Sequence, residues 1–371
     1  MKKIVAICIF FIISSCFSPK EENIKKGEQI EFKYATYLKI NKLDDCYEVN
    51  IRNPWDTTKL LRKYYFVNKN IENQYNFSDG TIVKIPLEKS LIYTSVHSSL
   101  VYDLGAESQI GSICDTEYVK NKNVKNLLQS GKIKNAGSAT NPNIEKFITL
   151  KPDAILLCPF ENSGYGLVEK LNIPIIECAD YMEVSPLAQA EWIKFFGILY
   201  GKENIADSLF QETERKYLEI KMLAQKSNYH PTLISELKTG SAWYVSGGQS
   251  TMGQFYIDAG FDYIFKNVAK TGAIPLSIEQ VFEKGENADF WLFKYYNTND
   301  LNYNDLNVQN DFYKNFKAFQ KHNIYCCNTN KCDFFDEIEF HPELLLKDLV
   351  KIKNPELFQD YNLKYFKALE N

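Results

Sequence analysis

A chain of 371 residues is longer than one typical domain and suits two, and its 43 basic and 47 acidic residues leave a net charge of −4. No basic stripe stands out, so the electrostatic footprint of a nucleic-acid binder is missing and no such partner is expected. Arginine occurs only at positions 52, 62 and 215, a compositional bias that carries no mechanism.

Lys2 and Lys3 precede an apolar run from Ile4 to Ile13 that is too short to cross a bilayer and has the layout of a secretory signal. The run ends Ile13-Ser14-Ser15-Cys16, which resembles the bacterial lipobox, where Cys16 would be lipidated and become the mature N-terminus. Residues 1–15 are thus expected to be a signal peptide and 16–29 a polar tether. Lys20-Glu21-Glu22 in the tether resembles a surface-export signal of Bacteroidetes lipoproteins. The expected location is the cell envelope, on the periplasmic face or the cell surface, with membrane contact through the lipid anchor only. Beyond Cys8 and Cys16, seven irregularly spaced cysteines do not describe a disulfide framework. Cys158 and Cys178 end apolar strands and read as packed thiols. Cys326, Cys327 and Cys332 could pair or bind metal, but paired CxxC spacing and a placed histidine are lacking, so no metal site is assigned.

Residues 30–84 alternate apolar and polar side chains, as in Tyr34-Ala35-Thr36-Tyr37-Leu38-Lys39-Ile40, and predict a small antiparallel β region. From residue 85 to 185 short apolar strands alternate with helices, the pattern of a parallel, helix-covered sheet. Residues 186–226 are helical, and from Asn204 to Gln225 neither Pro nor Gly interrupts a helix of about 30 Å. The strand-helix alternation resumes over 227–371. Two stretches about 130 residues apart repeat one sentence: Asn143 to Leu157, and Ser277-Ile278-Glu279-Gln280-Val281-Phe282 followed by Asn287-Ala288-Asp289-Phe290-Trp291-Leu292-Phe293. Each opens a helix with a Glu and reaches a buried strand through an Asp. The fold class expected is α/β: two Rossmann-like lobes bridged by a long helix, with the β region ahead of them.

From about Ile85 to Leu369 the chain resembles the helical-backbone (class III) substrate-binding lipoproteins of ABC importers for ferric siderophores, haem and cobalamin. The carriers are "NIEKFITLKPDAILL", "LNIPII", the long helix, "SGGQSTMGQFYIDAGFDYIF" and "SIEQVFEKGENADFWLF". "ADYMEVSPLAQAEWIKFFGILYGKE" and the N-terminal β region resemble a Bacteroidetes-type branch. The resemblance implies a metal chelate held between the lobes, a ferric siderophore first and cobalamin or haem as alternatives. It also implies docking on an ABC permease dimer through one Glu per lobe, here Glu145 and Glu279, and a monomeric binder without cofactor. A first-turn Glu is also a plain helix-start residue, because unpaired N–H groups there favour a carboxylate.

Ligands of open α/β sheets lie beyond the carboxyl ends of strands. That rule nominates His97, Asp115, Asn141, Phe160 and Tyr181 in the first lobe, and Trp243, Tyr244, Gln249 and Tyr295 in the second. His97 is either a metal ligand or a hydrogen-bonded structural residue. Trp243 and Tyr244 either stack on a ligand or pack in the core. No GxSxG, HExxH or catalytic cysteine context is present, so no catalytic residue is assigned. The reading from another class is a surface-tethered hydrolase.

Overall fold

A computed structural model describes residues 27–70 and 77–371. The expected signal peptide, most of the expected tether and the lipidation candidate Cys16 lie outside the described residues.

The N-terminal sheet has the order β1 (Glu28–Ile30), β2 (Leu38–Lys42), β3 (Cys46–Arg52), β4 (Leu60–Asn68), β5 (Thr81–Ile85). The first four strands are antiparallel as expected, but β5 pairs parallel to β4, which corrects the all-antiparallel reading. Tyr64 pairs with Thr81 and Asn68 with Ile85, so β5 runs the same way as β4. This sheet is not a separate body. Its inner face, including Val49, Tyr64 and Phe66, shares one apolar cluster with Trp192, Phe195 and Phe196 of the first lobe. Two buried glutamates fasten its entry loop: Glu191 accepts the backbone N–H groups of Lys33, Tyr34 and Ala35 at 2.7–3.0 Å, and Glu183 accepts those of Thr36 and Tyr37. Several N–H donors around a buried carboxylate offset much of the cost of its burial.

The first lobe is a parallel sheet of β6 (Ser90–Ile92), β7 (Ile110–Cys114), β8 (Lys134–Gly137), β9 (Ala154–Leu157) and β10 (Ile175–Glu177), in the order β10-β9-β6-β7-β8. The second lobe comprises β11 (Thr232–Ser235), β12 (Lys238–Thr239), β13 (Ala242–Ser246), β14 (Asp262–Tyr263), β15 (Ala273–Leu276), β16 (Phe290–Tyr295), β17 (Ile324–Asn328) and β18 (Lys367–Ala368). Its main sheet runs β14-β11-β16-β17-β18, parallel except for β18, and β12, β13 and β15 form a small antiparallel sheet.

The repeated segments occupy equivalent places. Each forms a helix, Ile144–Leu150 or Ile278–Gly285, followed by a strand beside the first strand of its lobe, β9 on β6 and β16 on β11. The repeated Asp pins the two strands together. Asp153 accepts the backbone N–H groups of Glu88 and Lys89 at the entry to β6, and Asp289 accepts the N–H and hydroxyl of Thr232 at the entry to β11.

Helix Glu203–Gln225 spans 23 residues, about 35 Å at 1.5 Å per residue. Ala206 and Phe210 are buried in the first lobe's core, whereas Tyr217, Ile220 and Ala224 belong to the second's. The lobes also touch directly. Asp336 of the second accepts the N–H groups of Lys120 and Asn121 at 2.8 and 3.0 Å, and His341 Nε2 lies 3.1 Å from Asp103 Oδ2.

Candidate functional site: an aromatic cleft between the lobes

The parallel strands of both lobes end at one region. In the first lobe a cavity of about 450 Å³ opens beyond the ends of β6, β7 and β9, lined by Tyr93, Thr94, Asp115, Cys158 and Phe160. Between the lobes lies a second cavity of about 550 Å³. Ser95, Tyr118 and Lys120 form its first-lobe wall, and Glu236, Tyr295, Tyr296, Thr329 and Phe335 face them. Tyr118, Phe160, Tyr296 and Phe335 are each more than half exposed, so their rings stand in solvent around the opening. Rings exposed to this extent leave surface open to an apolar group.

Charges in the cleft are held in place. Lys294 forms an ion pair with Glu236, and the Lys120 ammonium reaches Asn330 Oδ1 at 3.0 Å across the lobes and lies 5.8 Å from the Tyr296 ring centroid. Asp115 and Glu236 both adopt left-handed backbone conformations, φ 45° and 67°, at the carboxyl ends of β7 and β11. Non-glycine residues seldom occupy that region, and such outliers concentrate where a site demands them.

The nominated residues fall into two groups. Asp115 and Phe160 line the first-lobe cavity and Tyr295 the interlobe one. Tyr181 supports this rim: its hydroxyl donates to Pro159 O and its ring lies 6.5 Å from that of Phe160. Asn141 is exposed between Thr140 and Pro142, both of which line the first-lobe cavity.

The remaining four line neither cavity. His97 is 1% exposed, and its Nε2 lies 2.8 Å from Asp180 Oδ2, so its side chain is held in the interior. Trp243 is fully buried among Trp291, Tyr313 and Phe316, with its indole N–H donated to Ser235 O. Tyr244, next along the strand, points to the opposite face and is half exposed, but it lines neither cavity. Gln249 also lies outside both cavities. Its glycine loop serves the fold: a Cβ on Gly247 or Gly248 would lie 2.1 or 2.0 Å from the carbonyl oxygens of Lys270 and Lys266.

Tyr118, Lys120, Glu236 and Lys294 are the contributors that pattern reasoning missed. Glu236 was within reach of the strand-end rule, since it directly follows β11.

Glu145 and Glu279 occupy the first turns of the two equivalent helices, and both are exposed. Among the described residues the Glu145 carboxylate has no hydrogen-bond or ion-pair partner. The Ser277 hydroxyl and its own backbone N–H hold the Glu279 carboxyl below the usual range. The cap side chains are instead Asn143 and Ser277, which accept the N–H groups of Lys146 and Gln280.

Comparison with known proteins agrees with this architecture. The profile of the family described as "Periplasmic binding protein" matches residues 92–330. An uncharacterized lipoprotein of Methanocaldococcus jannaschii is 26% identical, with 99% of this chain and 96% of the relative aligned. Among solved structures, the ABC-type Fe3+-hydroxamate transport system protein of Saccharomonospora viridis superposes with a TM-score of 0.57 at 16% identity, covering 72% of this chain and 94% of its own. The periplasmic vitamin B12 binding protein of Vibrio cholerae does so at 0.54 and 14%, covering 74% and 99%. At such identities the structures share the fold.

Proposed function

The chain belongs to the periplasmic binding protein family, and from that premise we propose that it is the lipid-anchored substrate-binding protein of an ABC importer. It captures a metal chelate, of ferric siderophore type, between its lobes and delivers it to the permease without chemistry of its own. The observation that carries this reading is the interlobe cavity of about 550 Å³ at the carboxyl ends of both sheets, ringed by exposed tyrosine and phenylalanine. Rings around a cavity of this size suit a large, partly apolar ligand.

Ferric siderophores are favoured over haem by what lines the walls. Among the described residues no histidine reaches either cavity, and His97, the nominated axial ligand, points into the core. A chelate brings its metal already coordinated and needs only ring contacts and a few hydrogen bonds. Structural relatives named for ferric hydroxamate and for vitamin B12 bracket the remaining choice.

Glu145 and Glu279 dock on the two halves of a permease dimer. Support comes from their equivalent positions on two lobes, their exposure, and the fact that other side chains already cap both helices. A thermal-shift series with ferric hydroxamate, ferric catecholate, haemin and cyanocobalamin tests the cargo, because a ligand of the native state stabilises by mass action. A ferric siderophore is expected to raise Tm at one equivalent. A response to haemin or cobalamin alone overturns the chelate assignment, and no response to any of the four overturns the binding role.

A further inference from the structure

Two segments of the first lobe and one of the second bring together a set of donors that the transport reading does not use. His97 sits in the first turn of helix Ser95–Asp103, while Cys178 and Asp180 follow β10. Glu339 arrives from the second lobe, between helices Phe334–Glu337 and Pro342–Lys353. One donor atom each of His97, Cys178 and Asp180 lies within 4.8 Å of the others, and all three residues are at most 1% exposed.

The hydrogen bonding around this set is incomplete. His97 Nε2 and Asp180 Oδ2 pair at 2.8 Å, but His97 Nδ1, Asp180 Oδ1 and Glu339 Oε1 are all buried without a partner. Asp180 and Glu339 are near enough to repel each other when both are ionised, and neither Asp180 Oδ1 nor Glu339 Oε1 finds a donor. With both ionised, two buried acceptors confront each other without a donor, which is costly. Something positive belongs between them: a proton or a cation.

We propose that His97, Cys178 and Asp180, with Glu339 beside Asp180 moving in as the fourth donor, hold a divalent transition-metal ion of the zinc type, retained as part of the fold and distinct from the transported chelate. One imidazole, one thiolate and two carboxylates are donors that zinc accepts in a four-coordinate site. Coordination releases the Cys178 thiol proton, together with any proton shared by the carboxylates, to solvent. The ion cross-links the first lobe to the segment that the second lobe sends across, and full burial makes it resident rather than cargo.

The test uses the full chain purified without chelator from zinc-supplemented cells. Elemental analysis is expected to find one zinc per chain, and cobalt-grown protein is expected to show thiolate-to-cobalt charge transfer in the near ultraviolet. Cys178→Ser abolishes that band, whereas Cys158→Ser, a nearby half-buried thiol, leaves it. Metal at background level, or a cobalt band unchanged in Cys178→Ser, overturns the proposal. If Cys178→Ser does not fold, infrared difference spectra of wild type against Glu339→Gln decide between the two occupants. A protonated-carboxyl band in the wild type means a shared proton only and overturns the metal, and its absence with zinc bound supports it.

Discussion

Tyr296 and Phe335 present more than half of their surface to solvent on the second-lobe wall of the cleft, and the account assigns them direct contact with cargo. Aromatic contacts contribute about 0.5–1.5 kcal/mol each beyond area burial, so Tyr296→Ala with Phe335→Ala is expected to weaken chelate binding roughly ten- to a hundredfold. Equilibrium fluorescence quenching measures this, and Tyr244→Ala, outside the cavities, is expected to change nothing. Glu145→Lys with Glu279→Lys is the complementary experiment. Affinity for the chelate is expected to stay within about twofold, because neither residue lines the cleft, while uptake by cells carrying the cognate permease collapses. Intact uptake by that double variant removes the docking assignment. Alternation along β13 shows how far single residues were legible. Sequence places Trp243 and Tyr244 on opposite faces, but which face meets the core is decided by Trp291, Tyr313 and Phe316, which come from elsewhere in the chain.

The repeated helix-Asp-strand unit is the element whose physics explains its sequence most fully. Its Asp fixes the entry of the neighbouring strand in both lobes, so a strand-start function accounts for the Asp and leaves the exposed Glu without a structural duty of comparable weight. Asp289→Asn is expected to cost about 1–2 kcal/mol, since hydrogen bonds to a charged acceptor are lost or weakened. Burial opposes ionisation of Asp289, but Lys317 and the Thr232 bonds outweigh it and hold its carboxyl below the usual carboxylate range. A depressed folded pKa stabilises the protein above the unfolded value and loses that contribution as pH falls through the folded one. The Tm gap between wild type and Asp289→Asn is therefore expected to be full at neutral pH and to close below about pH 4. Strands, both lobes and the long helix were legible because their periods and breakers are local. The cleft was half legible: Asp115 directly follows β7, Phe160 comes three residues after β9 and Tyr295 ends β16, whereas Tyr118 and Lys120 reach it through a short 3-10 turn and the apposition of a second lobe. Segment "ADYMEVSPLAQAEW" carries Glu183 and Glu191, which hold the N-terminal loop by its backbone; their partners lie about 150 residues away and no local pattern announces them.

At the scale of the whole molecule, one helix is embedded in both cores, and Asp336 and His341 add direct ties between the lobes. Closure about a flexible hinge would tear these contacts, so binding is expected to change the interlobe angle only slightly, unlike the hinge closure of other periplasmic binding proteins. Small-angle scattering with and without ligand measures it, and a rotation of tens of degrees contradicts this architecture. The most direct test of the carrier role itself is a calorimetric titration of the purified chain with ferric siderophore, followed by mass analysis of the recovered ligand. Saturation at one chelate per chain, return of the chelate chemically unchanged, and loss of most of the affinity in the Tyr296→Ala, Phe335→Ala variant are expected. A released product, or a wild type and variant that bind equally, would contradict that role.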